Sequence, residues 1–187
     1  MSSNSHLVLV MGRGLEWSDD GTVRLDESSR RMVKAAARMW STNPHLHFVF
    51  TAPVSPEFGG PPLGKLMADY FYELCSGNRV RVSQLMADSF DSRGELSVFA
   101  HWIRRQPFDR ITIVAVHWHI PRIKVILRQE WDPEVIDCVD FESVDETWSW
   151  LAHAKEWSKR YVHVYLPPYV GRPLVKVLRT FGMRTSW

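Results

Sequence analysis

The sequence predicts an α/β domain on a doubly wound, mostly parallel sheet with helices on both faces, a Rossmann-like arrangement. Three observations predict it. Apolar runs of strand length alternate with amphipathic helical stretches nearly throughout the chain. Residues 111–116, ITIVAV, are continuously apolar, as a strand covered on both faces should be. Polar residues follow at once, and Pro121 then suits the first turn of a helix. In open α/β sheets, the carboxyl end of a central strand beside a helix start is where ligands bind.

In chain order, residues 6–11 are a buried-type strand that ends at Gly12-Arg13-Gly14. Residues 15–25 read as a polar loop with a turn at Asp19-Asp20-Gly21. Asp26 suits a helix cap. Beyond it Met32, Ala35, Ala36, Met39 and Trp40 share one helical face, with Arg31, Lys34 and Arg38 on another. Residues 41–44 stop this helix. Residues 46–51 form a second strand, and a Pro- and Gly-rich loop runs over 52–62. Leu63, Leu66, Met67, Tyr70, Phe71 and Leu74 mark an amphipathic helix closed by Gly77, and 79–82 suit a short strand.

Ser92, with Glu95 three residues on, has capping-box spacing before a stripe of Leu96, Phe99, Ala100 and Ile103. After the strand at 111–116 a helix is expected from about 121 to 129. Asp132-Pro133 breaks the chain, and 135–139 reads as a strand. Ser143 and Glu146 repeat the capping-box pattern ahead of Trp148, Trp150, Leu151, Ala154 and Trp157. Residues 161–166 alternate like a short strand. Pro173 opens a last helix with Leu174, Val177, Leu178 and Phe181, and Gly182 at its C-cap. No repeat or linker interrupts the 187 residues, so one domain over 1–187 is expected, with 143–187 its largely helical C-terminal part.

Composition narrows the function classes. A net charge of +2 gives no global reason to expect nucleic acid as a partner. Cys75 and Cys138 have no CxxC spacing, which argues against a disulfide framework or thiolate zinc site. The apolar run near the start is too short for a signal peptide or membrane span. A soluble, cytoplasmic protein with a small-molecule ligand is the expectation, with no membrane partner.

Candidate chemistry gathers around the strand ends. His117 and His119 point to one face if the strand runs on through them. An imidazole there suits acid–base work. The same pair could ligate a metal with Asp91 or Glu95 as a third donor. A histidine bonded to backbone at the helix start is the plain alternative. Arg122, in the first helical turn, suits a bidentate grip on an anion, as does Arg31, unless each only pairs at the surface. Gly12, Arg13 and Gly14 suit a close turn over a phosphate or a purely structural turn. As a dinucleotide fingerprint they fail, because Trp17 stands where a glycine is needed. Glu16 and Trp17 offer a carboxylate and a stacking ring. Asp91 suits a polar pocket position, while Ser92 and Glu95 are equally explained as a helix cap.

With these residues in place, the chain resembles the DUF218 domain family, which includes the YdcF, SanA and ElyC groups. The resemblance spans roughly residues 6–130. It rests on the strand and glycine turn at 8–14, on Arg31 with Ala35, on residues 88–95, and on His119-Ile120-Pro121-Arg122 after the central strand. Asp91-Ser92 stands for the family's Asn-Thr, Glu95 for its second Asn, Ala115-Val116 for its Thr-Ser, and Thr51-Ala52-Pro53 for its Ser-Gly-Gly. The resemblance implies a binder of nucleotide-like or phosphorylated small molecules.

These readings together predict an enzyme acting on a phosphate-bearing or nucleotide-like substrate by hydrolysis or group transfer. His119 is its expected acid or base, assisted by His117 and oriented by Asp91. Gly12, Arg13, Gly14, Glu16, Trp17, Arg31, Ser89, Ser92, Glu95, Trp118 and Arg122 make up the expected substrate-binding set. No cofactor is required by the sequence. A non-catalytic module for a ligand such as S-adenosylmethionine, and a divalent-metal enzyme using the two histidines, are the other readings.

Overall fold

A computed structural model describes residues 5–53, 61–76, 80–87 and 92–145. In chain order these form β1 (His6–Val10), β2 (Leu15–Trp17), β3 (Val23–Leu25), α1 (Glu27–Thr42), β4 (His47–Pro53), α2 (Leu63–Leu74), β5 (Arg81–Ala87), α3 (Ser92–Ile103), β6 (Arg110–Val116), α4 (Ile120–Glu130), α5 (Pro133–Ile136) and β7 (Val139–Val144). Five strands make one sheet in the order β5-β4-β1-β6-β7, and every neighbouring pair is parallel. The chain winds outward from β1 through β4 to β5, then crosses to the other side for β6 and β7. That reversal places a topological switch point between the carboxyl ends of β1 and β6.

Strand periodicity explains the two layers of helices. Alternate residues of a strand face opposite sides. Val8, Val10, Phe48, Phe50, Val114 and Val116 pack with Met32, Val33, Met67 and Phe71 of α1 and α2. Leu7, Leu9, Val49, Ile111 and Ile113 pack on the other side with Leu96, Phe99, Ile123 and Ile126 of α3 and α4. Apolar side chains are needed on both faces, so the central strands read as unbroken apolar runs. The doubly wound α/β fold follows.

The loop after β1 is shaped by its neighbours. A Cβ on Gly12 would overlap the Leu63 side chain and come within 2.8 Å of Met67 Sδ, so glycine lets α2 approach the turn closely. Asp26 caps α1 by accepting from Ser29 N–H at 2.7 Å. Ser29 in turn accepts from the N–H groups of Arg13 at 3.1 Å and Gly14 at 3.2 Å. The glycine turn is thus tied to the start of α1.

At the amino edge of the sheet, His6 Nε2 lies 2.8 Å from Thr112 Oγ1, and His47 Nε2 lies 2.9 Å from Ser83 Oγ. Arg110 and Arg81 are their register partners. The pKa of each histidine is held below the ordinary value, first by burial and then by the nearby arginine; Asp140 opposes this at His6.

Three expected elements differ. Residues 15–25 are a two-stranded antiparallel hairpin rather than a loop, with Glu16 opposite Arg24. Their apolar residues alternate over only three positions per strand, too few to register as strands. The strand expected at 135–139 is displaced to Val139–Val144, because Pro133 starts the short helix α5. The strand expected at 79–82 is Arg81–Ala87. Ser143, expected to cap the first helix of the C-terminal part 143–187, lies within β7. The elements expected beyond 145, Gly77, and most of the 52–62 loop lie outside the described residues.

Candidate functional site

The site forms where β4 and β6 end and α3 and α4 begin. β6 stops at Val116, and residues 117–119 turn, closed by His119 N–H donating to Val116 O at 2.9 Å. The His119 carbonyl accepts from the N–H groups of Arg122 and Ile123, both at 3.1 Å, and so occupies the cap position of α4. Pro121 has no N–H to satisfy in that first turn. Because the strand does not continue, His117 and His119 do not share a face. His117 is exposed, whereas His119 is buried. The paired-histidine metal reading depended on that continuation and loses its geometry. Among the described residues no group of three or more His, Cys, Asp or Glu is arranged to hold a metal ion.

His119 instead meets Ser92, the first residue of α3. Ser92 Oγ lies 2.8 Å from His119 Nε2. Arg122 Nη2 donates to Ser92 Oγ at 3.1 Å and approaches His119 Nε2 to 2.5 Å. Ser92, His119 and Arg122 are 9%, 7% and 8% exposed. A guanidinium carries only donors. Beside it, Nε2 must present its lone pair, which assigns the tautomer with the proton on Nδ1. The Ser92 hydroxyl then accepts from Arg122 and shares with it the single Nε2 lone pair of His119. Ser92 Oγ is therefore turned to the imidazole, a contact that the capping-box spacing alone does not predict.

Glu95 lies one helical turn beyond Ser92, on the same side of α3. Its Oε1 accepts from Thr51 Oγ1, at the end of β4, at 3.1 Å, and both side chains are buried. The orientation of α3 is further fixed by Arg93. Its Nη1 lies 2.6 Å from Glu130 Oε1, and its Nη2 donates to Gln129 Oε1 at 2.6 Å, bracing α3 against the far end of α4.

The switch point closes the other side. The Arg13 guanidinium lies 5.1 Å from the centre of the Trp118 ring, and its Nη1 donates to Ser28 Oγ at 3.2 Å. Trp118 in turn stacks on His119.

The remaining expected site residues are spread around this centre. Gly12 and Gly14 stay in the loop after β1, but the N–H groups of Arg13 and Gly14 are engaged by Ser29 rather than turned outward. Glu16 pairs with Arg24 and Arg30. Arg31 pairs with Glu27 and donates to the Asp145 carbonyl just past β7. Trp17 is exposed on the hairpin. Ser89 and Asp91 lie outside the described residues. Sequence reading did not single out Arg93, Ser28 or Ser29, and noted Thr51 only as a departure from the family pattern. A hydroxyl at a strand end facing a carboxylate 44 residues later leaves no local pattern.

No family model matches this chain, and no curated protein matches it. Among solved structures, an isochorismatase-like hydrolase from Alkaliphilus metalliredigens is similar, with a TM-score of 0.46 and 10% identity over 85% of this chain and 91% of that one. At that level the likeness says nothing about substrate or residue roles. The DUF218 resemblance is not upheld. No model of that family matches, and the solved chain found to be similar is described as an isochorismatase-like hydrolase. The physical reason lies in the departures. Ala115 and Val116, standing for the pattern's Thr-Ser, are fully buried core residues on opposite faces of β6 and cannot line a pocket as hydroxyls would. Among the described residues no helix is long and apolar enough to cross a membrane.

Proposed function

We propose that this chain is a hydrolase for a small phosphate ester, with Ser92 as nucleophile and His119 as its base. The observation that carries this reading is the 2.8 Å contact between Ser92 Oγ and a His119 Nε2 that must act as acceptor. A hydroxyl bonded to an unprotonated imidazole nitrogen is the arrangement that activates a serine. Here Arg122 Nη2 shares that nitrogen at 2.5 Å, and an anionic substrate would draw it away. Arg122 beside the same oxygen, with the starts of α3 and α4 converging there, suits a substrate that brings negative charge.

The chemistry runs in two displacements. Ser92 Oγ bonds to phosphorus as its proton passes to His119 Nε2, and the ester oxygen leaves. That oxygen takes the proton from Nε2. Water then gives a proton to Nε2 while its oxygen bonds to phosphorus, and the Ser92–phosphorus bond breaks. Ser92 recovers the proton, and inorganic phosphate is released. Arg122 holds the non-bridging oxygens, where charge gathers in each transition state. Asp91, next to Ser92 in sequence, is assigned to orienting His119 or substrate, and His117 to assisting at the rim.

The test is turnover of p-nitrophenyl phosphate, with p-nitrophenyl acetate as the carboxylic counterpart. The wild-type protein should favour the phosphate. His119→Asn should lower kcat by roughly 10²–10⁴-fold, the scale for losing an acid–base group. Arg122→Ala should chiefly raise KM. Full turnover in a folded His119→Asn protein would reject the role. A second reading, a non-catalytic binding domain, is favoured by the deep burial of all three side chains, which already satisfy one another. It predicts a thermal shift with phosphate, nucleotides or S-adenosylmethionine and no turnover of either ester.

A further inference from the structure

We propose that Trp118 is a positioning residue for His119, held in place by Arg13. The inference rests on the reading of His119 as the base and gives that ring's orientation a cause.

Successive side chains in a turn ordinarily diverge. Here the Trp118 and His119 rings lie nearly parallel, 21° between planes and 5.8 Å between centres. The Trp118 ring is itself engaged by the Arg13 guanidinium at 5.1 Å, a cation–π distance. Arg13 is anchored in turn through Ser28, a buried residue in the first turn of α1. A continuous line of contacts therefore runs from α1 through Arg13 and Trp118 to the imidazole. It crosses the switch point from the loop after β1 to the turn after β6.

This line has a chemical consequence. The torsion of a histidine ring about Cβ–Cγ is broad and has no sharp preferred value of its own. A flat indole against it fixes the ring plane. That plane decides whether the Nε2 lone pair points at Ser92 Oγ or beside it. Packing alone would need only bulk at position 118. Orientation of the plane needs a flat ring, and the two demands separate by substitution.

The experiment is a long-range ¹H–¹⁵N correlation spectrum of the histidine side chains, with His119 assigned by its loss in His119→Asn. It is recorded for the wild type, Trp118→Phe, Trp118→Leu and Arg13→Ala. The wild type and Trp118→Phe should show one neutral tautomer at His119, protonated on Nδ1. Trp118→Leu, nearer to the phenylalanine variant in bulk but not flat, should show averaged nitrogen shifts, and Arg13→Ala should move partway there. With p-nitrophenyl phosphate, Trp118→Leu should lose roughly tenfold to a hundredfold in kcat at unchanged KM, the scale of a misplaced catalytic group, and Trp118→Phe should restore it. A single Nδ1–H tautomer retained in Trp118→Leu would overturn the proposal, as would averaged nitrogens in the wild type. If Trp118→Leu fails to fold, Arg13→Ala decides, since Arg13 is exposed. If the wild type turns over no ester, the catalytic reading falls while the tautomer comparison still decides the role of Trp118.

Discussion

Thr51 is fully buried, and its hydroxyl faces a carboxylate, Glu95, that is buried as well. Removing the donor and keeping the shape should therefore be costly. Thr51→Val is expected to destabilise the fold by about 1–3 kcal/mol, the scale for withdrawing a partner from a buried polar group. Urea unfolding checks this, and an unchanged midpoint would mean that Glu95 does not depend on Thr51. His119 was legible in the sequence because its place is local: an apolar strand, a polar step, then a helix-opening proline. Ser92 was legible as a residue, but its partner was not. The Ser92-to-Glu95 spacing satisfies a capping pattern, and the histidine that claims the hydroxyl lies 27 residues away. Contacts of that separation follow from the sheet order, which single-residue spacing does not encode.

At the scale of elements, the start of α1 carries two duties. Asp26 caps the helix, and Ser29 beside it holds the glycine turn after β1. Asp26→Ala should cost about 0.5–2 kcal/mol, the usual effect of losing an N-cap. Because Ser29 depends on that cap, the loop bearing Arg13 should loosen too, seen as faster amide exchange at Arg13 and Gly14. Unchanged exchange there would separate the cap from the loop. The long helices and the central strands were readable because each repeats its apolar period over several turns or is apolar throughout. The β2–β3 hairpin and the displacement of β7 were not. The hairpin strands are three residues each, and Pro133 both breaks α4's pattern and opens α5.

For the whole molecule, the doubly wound sheet puts two histidines at the amino edge, each crowded by burial and by an arginine. Both have folded-state pKa values below the ordinary 6.5. The unfolded chain then binds more protons than the folded one in the window below 6.5. The stability contributed is present above that value and is lost as the pH falls through the lower folded values. Urea midpoints should thus fall on acidification from pH 7 to pH 5, and less steeply in the double variant His6→Gln, His47→Gln. An equal slope in both proteins would assign the pH dependence to other groups. The mostly parallel sheet and its two-faced burial were the most legible features of the chain. Each central strand must satisfy both layers of helices and so carries the signal in every residue.

The Ser92–His119 pair is most directly tested without any substrate, by intact mass spectrometry after treatment with a fluorophosphonate. Such a reagent phosphonylates an activated serine and releases fluoride. The wild-type protein should gain one adduct, located by peptide mapping at Ser92. Ser92→Ala should gain none, and His119→Asn should label roughly 10²–10⁴-fold more slowly. A folded wild-type protein that stays unlabelled, or that labels at Ser92 as fast without His119, would contradict the pairing as a catalytic device.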